Sequence, residues 1–149
     1  MSKILIYEAG LINNGLPLLR RQYFESDELK TSPILVGGFL SAIQQFTAST
    51  FKDIPTLLKM EKYMACLEKI SWSTENILLY AICDGRGDPK PIQKALSNIN
   101  AKLMNWKDEL QRISIDMEEY EGFHPIFDEE FVQLNRDYTD RFLGWLDVV

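Results

Sequence analysis

The 149-residue sequence predicts an α+β domain in which two strands, a helix, two or three further strands and two helices follow in order. Three observations carry that reading. Residues 3–12 and 77–83 are apolar almost without a break, the pattern of short strands buried on both faces. Asn13, Asn14 and Gly15 follow the first of these, and Asn-Gly tolerates the positive φ angles of a two-residue hairpin turn. From Pro89 onward the apolar period changes from two to helical.

Each element has its own signature. The strand at 16–24 carries Pro17 near its start, which confines it to a sheet edge or a strand beginning. A charged loop at 25–30 leads to the helix at 32–51. Ser32 stands where a cap belongs, and Pro33 suits the first helical position because its missing N–H has no helical partner to lose. Leu35, Phe39, Ala42 or Ile43, and Phe46 share one face; Val36, Leu40 and Ile43 widen it, so the helix is expected to be covered on more than one side. Gly37 and Gly38 sit mid-helix, where each costs about 1 kcal/mol relative to Ala, which points to close approach by another backbone.

Residues 52–55 break that helix, and 56–70 read as two strands or one bent strand turning near Tyr63 and Met64. Leu58 and Met60 face one way, then Met64, Cys66 or Leu67, and Ile70. A polar turn at 71–76 precedes the strand at 77–83, which with 3–12 is expected at the centre of the sheet. The loop at 84–88 follows. Ile92, Leu96, Ile99, Leu103, Trp106, Leu110, Ile113, Met117 and Tyr120 then form a heptad stripe ending at Gly122. It reads as one long helix over 89–121, or two joined near Ser114, laid on the sheet rather than as a coiled coil, because Trp106 and Tyr120 are broad for a two-stranded seam. Residues 123–126 are read as a connector. Asp128 is expected to cap the last helix, with Glu129 and Glu130 in its first turn and a staple between Phe127 and Val132. Phe131, Leu134, Tyr138, Phe142 and Trp145 give it an aromatic stripe whose mate is the preceding helix.

Composition excludes several functions. No apolar run approaches the roughly 20 residues of a membrane-spanning helix, and Met1-Ser2-Lys3 leads straight into a strand, so a cytosolic location is expected. Charge is uneven: 1–115 carry 14 Lys/Arg and 12 Asp/Glu, a net of +2, whereas 116–149 carry 2 Arg and 10 acidic residues, a net of −8. Without clustered positive charge, nucleic acid is not an expected partner. The acidic part at 123–149 suits a basic protein surface or plain solvation.

Catalytic and ligating patterns are missing in sequence. His124 is the only histidine, and the separated Cys66 and Cys83 make neither zinc spacing nor a disulfide framework; buried reduced thiols are expected. No Gly-x-Ser-x-Gly elbow exists, and Gly85 and Gly87 lack the lysine spacing of a phosphate loop. Arg86-Gly87-Asp88 spells an adhesion tripeptide by coincidence. Glu118 and Glu119 lie in acidic surface runs rather than apolar pockets that shift a pKa. No catalytic, cofactor-binding or metal residue is assigned, and an enzyme is not the expectation.

The segment from Ser32 through Ile43, with its Gly-Phe-Leu-Ser-Ala-Ile core at 38–43 and the aromatics Phe46 and Phe51, resembles the first helix of small archaeal longin-like proteins. Residues 78–84 are similar to that family's fifth strand, and the last helix to small sigma-type adaptor subunits. The resemblance covers nearly the whole chain, 1–149, as a single domain. It implies a five-stranded antiparallel sheet with the helix at 33–51 on one face and two C-terminal helices on the other. It also implies a non-enzymatic interaction module. Its partner would be a small Ras-like GTPase, another longin or roadblock protein, a trafficking-type assembly or a second copy of itself; peripheral contact with a membrane stays open. No SNARE segment or transmembrane anchor accompanies it, which argues against membrane fusion. The apolar surface around Val36, Gly37, Gly38 and Leu40 is the expected partner surface. The alternative is a small-molecule sensor of GAF or PAS type, which needs an internal pocket with convergent polar groups.

Overall fold

The computed structural model describes residues 5–23, 32–72, 76–108 and 121–147, with 33, 121 and 136–147 described by backbone alone. The charged loop at 25–30, Ser73 to Glu75 of the polar turn, stripe positions Leu110 to Tyr120 with the joint at Ser114, and Glu118 and Glu119 lie outside the described residues. So do the side chains of Tyr138, Phe142 and Trp145.

Five strands form one antiparallel sheet: β1 (Ile6–Asn13), β2 (Leu16–Gln22), β3 (Leu57–Lys59), β4 (Tyr63–Lys69) and β5 (Ile77–Asp84). Their order across the sheet is β2-β1-β5-β4-β3. Among the described residues the helices are α1 (Pro33–Thr50), α2 (Lys90–Met104) and α3 (His124–Asp147), the last entered through a 3-10 turn at Glu121–Phe123. This is the α+β arrangement expected from the sequence.

The hairpin turn forms for the reason its residues suggested. Asn14 and Gly15 take φ of 50° and 85°, and Asn13 pairs directly with Leu16. Pro17 lies on an edge strand, where a missing N–H is tolerated, and the register of β1 with β2 slips between Leu11 and Ile12. Both nearly continuous apolar strands, β1 and β5, occupy the centre of the sheet. The turn after β3 is tighter and earlier than expected, with Met60 N–H donating to the carbonyl of Tyr63 across 2.8 Å.

Alternation divides the sheet into two faces. Met64, Cys66, Ile70, Leu79, Ala81 and Cys83 face the main core, which Ile92, Leu96, Ile99 and Leu103 of α2 and Phe127 and Phe131 of α3 complete. Cys66 and Cys83 are free, buried thiols there, and the hydrogen bond that the Cys83 thiol shares with Cys66, together with burial, raises Cys83. Ile12, Ala65, Leu67, Leu78 and Tyr80 face the other way, where Leu40 and Val36 of α1 pack on them.

The two C-terminal helices differ from the sequence reading at their ends. The second helix is interrupted after Met104, where Asn105 and Trp106 turn their N–H groups to the carbonyls of Lys102 and Leu103; 107–108 are helical again, and the stripe beyond lies outside the described residues. Trp106 therefore leaves the stripe and stands half exposed against the ring edge of Phe123. The last helix begins at His124, so 124–126 are helix rather than connector. Burial of Phe123 and Phe127 draws this turn into the core, and Pro125 is tolerated in the first turn, where N–H groups lack helical partners. Asp128 does not cap. Its carboxylate accepts from Arg21 at 2.9 Å and from the Tyr23 hydroxyl at 3.0 Å, tying α3 to the edge of the sheet. No staple forms, since Phe127 is fully buried while Val132 is exposed. Glu129 and Glu130 both hold Lys102 of α2, at 2.9 and 3.0 Å.

Candidate functional site

Among the described residues α1 is the one helix on its side of the sheet, and its polarity is reversed. Its inward residues are Gly37, Leu40, Ser41 and Gln44, all buried. Only Leu40 among them is a large apolar side chain. The Gln44 amide donates to the side-chain oxygen of Asn76 at 3.1 Å, and the Asn14 N–H donates to the carbonyl of Asn76 at 3.2 Å. Helix, hairpin turn and the start of β5 are thereby fastened at one point.

Gly37 explains half of the glycine pair. A Cβ built there would stand 2.5 Å from the carbonyl oxygen of Gly15, so α1 rests on the hairpin turn at a distance only glycine allows. Gly38 faces outward with nothing within 4 Å of an added Cβ. Ser32 occupies the N-cap position without a side-chain cap bond, and its carbonyl accepts the first helical N–H from Val36 at 2.9 Å.

The outward stripe carries the aromatics. Leu35 is 74% exposed, Phe39 52% and Phe46 58%, with Ile34 beside them and Phe51 66% exposed at the helix end. Phe46 and Phe51 meet edge to face at 6.0 Å and still leave most of both rings in water. From Thr31 to Phe51 there is no Asp, Glu, Lys or Arg. A solvated helix face ordinarily carries charge, and this one carries large apolar groups instead.

The residues expected at a partner surface fall on different sides of α1. Gly38 is outward, Val36 is half-buried on the sheet, and Gly37 and Leu40 are buried within the chain, Leu40 at 2% exposure. Of the two apolar faces readable in the sequence, the one holding Leu35, Phe39 and Phe46 is the open one. The signal that locates it is the charge-free run from 31 to 51 between Lys30 and Lys52.

A buried polar cluster lies on the same side of the sheet. Tyr80 donates its hydroxyl to Glu8 at 2.9 Å, and Arg20 reaches the same carboxylate at 3.3 Å. Gly10, paired with Tyr80 across the strands, leaves room for the ring to cross β1. Burial, and then the Glu8 charge, push the Tyr80 phenol well above its usual value. Glu8 is 1% exposed and its carboxylate is already held by these donors, an arrangement that fixes the strands and offers no room for a substrate. Among the described residues no three or more His, Cys, Asp or Glu side chains converge on one point. His124 lies half-buried in the first turn of α3. Among them, too, no helix is long and apolar enough to cross a membrane.

No protein-family model matches this chain, and no curated protein matches it.

Proposed function

We propose that this chain is a non-catalytic interaction module of the longin type, which docks a protein partner on the outer face of α1. The partner class is a small Ras-like GTPase or a subunit of a trafficking-type assembly. The observation that carries the proposal is the reversed polarity of α1, with Ser41 and Gln44 inside and Leu35, Phe39 and Phe46 outside. Fully burying one such side chain is worth about 1.5–3 kcal/mol, so the free helix leaves a substantial driving force unused. The order β-β-α-β-β-β-α-α and the single helix facing a pair across the sheet support the longin type. The layer where a GAF- or PAS-type sensor needs a pocket is occupied by Ile12, Leu40, Leu78 and Tyr80, which favours the module over the sensor.

Equilibrium binding to immobilised small GTPases, each loaded with GDP or a GTP analogue, tests the reading. Saturable binding to one of them, lost in a Leu35→Ser/Phe39→Ser double variant, is the expected result. Binding that the double variant leaves unchanged would place the docking surface elsewhere and overturn the proposal.

A further inference from the structure

A groove lies on the opposite side of the sheet from α1, beside the outer edge of β4. The strand β3 pairs with Met64, Ala65 and Cys66, and the last bond between the two segments runs from the Leu67 N–H to the Thr56 carbonyl at 3.0 Å. Then the chain turns away. Pro55 has no N–H to contribute, and the Ile54 N–H is taken by the Asp53 side chain at 2.8 Å. The strand β4 continues to Lys69, and among the described residues no strand pairs with it on that side.

Hydrogen-bond alternation fixes which groups are left. The Ile70 N–H donates to Ile77 of β5, whereas the Leu67 N–H points to the β3 side. The N–H and C=O of Lys69 therefore point away from β5, toward the space that β3 has left. That space is a groove of about 540 Å³ between the 53–56 loop, the end of β4 and α2. Asp53, Ile54, Glu68, Leu96 and Ser97 are among its walls. Glu68 accepts from the Ser97 hydroxyl at 2.7 Å through one carboxylate oxygen. Its other oxygen is buried without a partner.

We infer that this groove binds an extended peptide carrying an Arg or Lys side chain, which adds to β4 as a short strand continuing the line of β3. The residue opposite Lys69 exchanges two backbone hydrogen bonds with it, as in other strand additions to a free edge. Side chains of its two neighbours turn toward α2 because strand side chains alternate. One of them lies beside Glu68, whose carboxylate attracts a cationic head. Asp53 at the rim adds to the preference for positive charge, and Ile54 and Leu96 take the apolar stem. This site is independent of the outer face of α1.

The test is an amide-shift titration of the full chain with acetyl-Val-Arg-Val-Thr-amide, the same peptide with Glu for Arg, and acetyl-Arg-amide. The arginine peptide is expected to shift the Lys69 and Ser97 amides saturably and to slow hydrogen exchange at Lys69. Glu68→Gln, which keeps an acceptor for Ser97, should weaken binding about tenfold through loss of the charged pair. Lys69→Pro should abolish it, because it removes only an N–H that β5 does not use; unchanged thermal unfolding of that variant separates lost binding from lost fold. Equal binding of the glutamate peptide, equal shifts with acetyl-Arg-amide, or an unmoved Lys69 amide at peptide excess would each overturn the inference.

Discussion

Gly37 of α1 lies on the backbone of Gly15 in the hairpin turn, so close that a Cβ on Gly37 would stand 2.5 Å from the Gly15 carbonyl oxygen. Gly15 needs its positive φ to close the turn, and Gly37 needs its missing side chain to let α1 sit on it. One contact therefore sets both the height of the helix and which side of it faces water.

The two mid-helix glycines are expected to respond in opposite senses. Gly37→Ala gains helix propensity but drives a methyl group into backbone that has no flexible end to move, for a net loss of about 1–2 kcal/mol. Gly38→Ala meets nothing within 4 Å and should stabilise by about 0.5–1 kcal/mol. Urea unfolding midpoints of the two variants check this; equal effects would contradict the placement of α1.

The inner and outer apolar residues of α1 should separate as sharply. Leu40→Ala leaves a cavity over Ile12, Leu78 and Tyr80 and should cost about 2–5 kcal/mol. Phe39→Ser, at an exposed position one residue earlier, should change stability by about 0.5 kcal/mol or less. Thermal denaturation of each variant decides; comparable losses at both positions would mean that Phe39 is covered in solution.

Alkaline titration addresses the other polar contacts. Burial, followed by the nearby Asp128 carboxylate, raises the Tyr23 phenol, and burial followed by Glu8 raises that of Tyr80. A group whose folded pKa lies above its unfolded value of about 10 stabilises fully below that pH, and the stabilisation is lost as pH rises toward the folded value. Tyr23 and Tyr80 should therefore ionise only as circular dichroism reports unfolding. Ionisation of all six tyrosines near pH 10 with the fold intact would contradict these environments.

Local chemistry made much of this fold legible. Asn14 and Gly15 announce a turn because few residues accept positive φ, and residues 77–83 announce a central strand because only a doubly covered strand is apolar throughout. The orientation of α1 was not legible. Its apolar residues run almost all round the cylinder, so periodicity offered two faces, and the shape of a distant hairpin turn selected between them. Long-range polar contacts were hidden for a similar reason. Asp128 has the spacing of a cap, but Arg21 and Tyr23, more than 100 residues earlier, claim its carboxylate. Trp106 continues the heptad in sequence, yet hydrogen bonds to Lys102 and Leu103 interrupt the helix before it. Of the residues expected at a partner surface, Gly38 faces outward, whereas Gly37 and Leu40 are buried against the hairpin turn and the sheet.

The most direct test of the docking role of α1 is an amide-shift map of the isotope-labelled chain titrated with nucleotide-loaded small GTPases. Shifts gathered on Leu35, Phe39, Ala42 and Phe46, and lost in Phe39→Ser, are the predicted result. Shifts confined to α2 and α3, or none with any loaded GTPase, would contradict it.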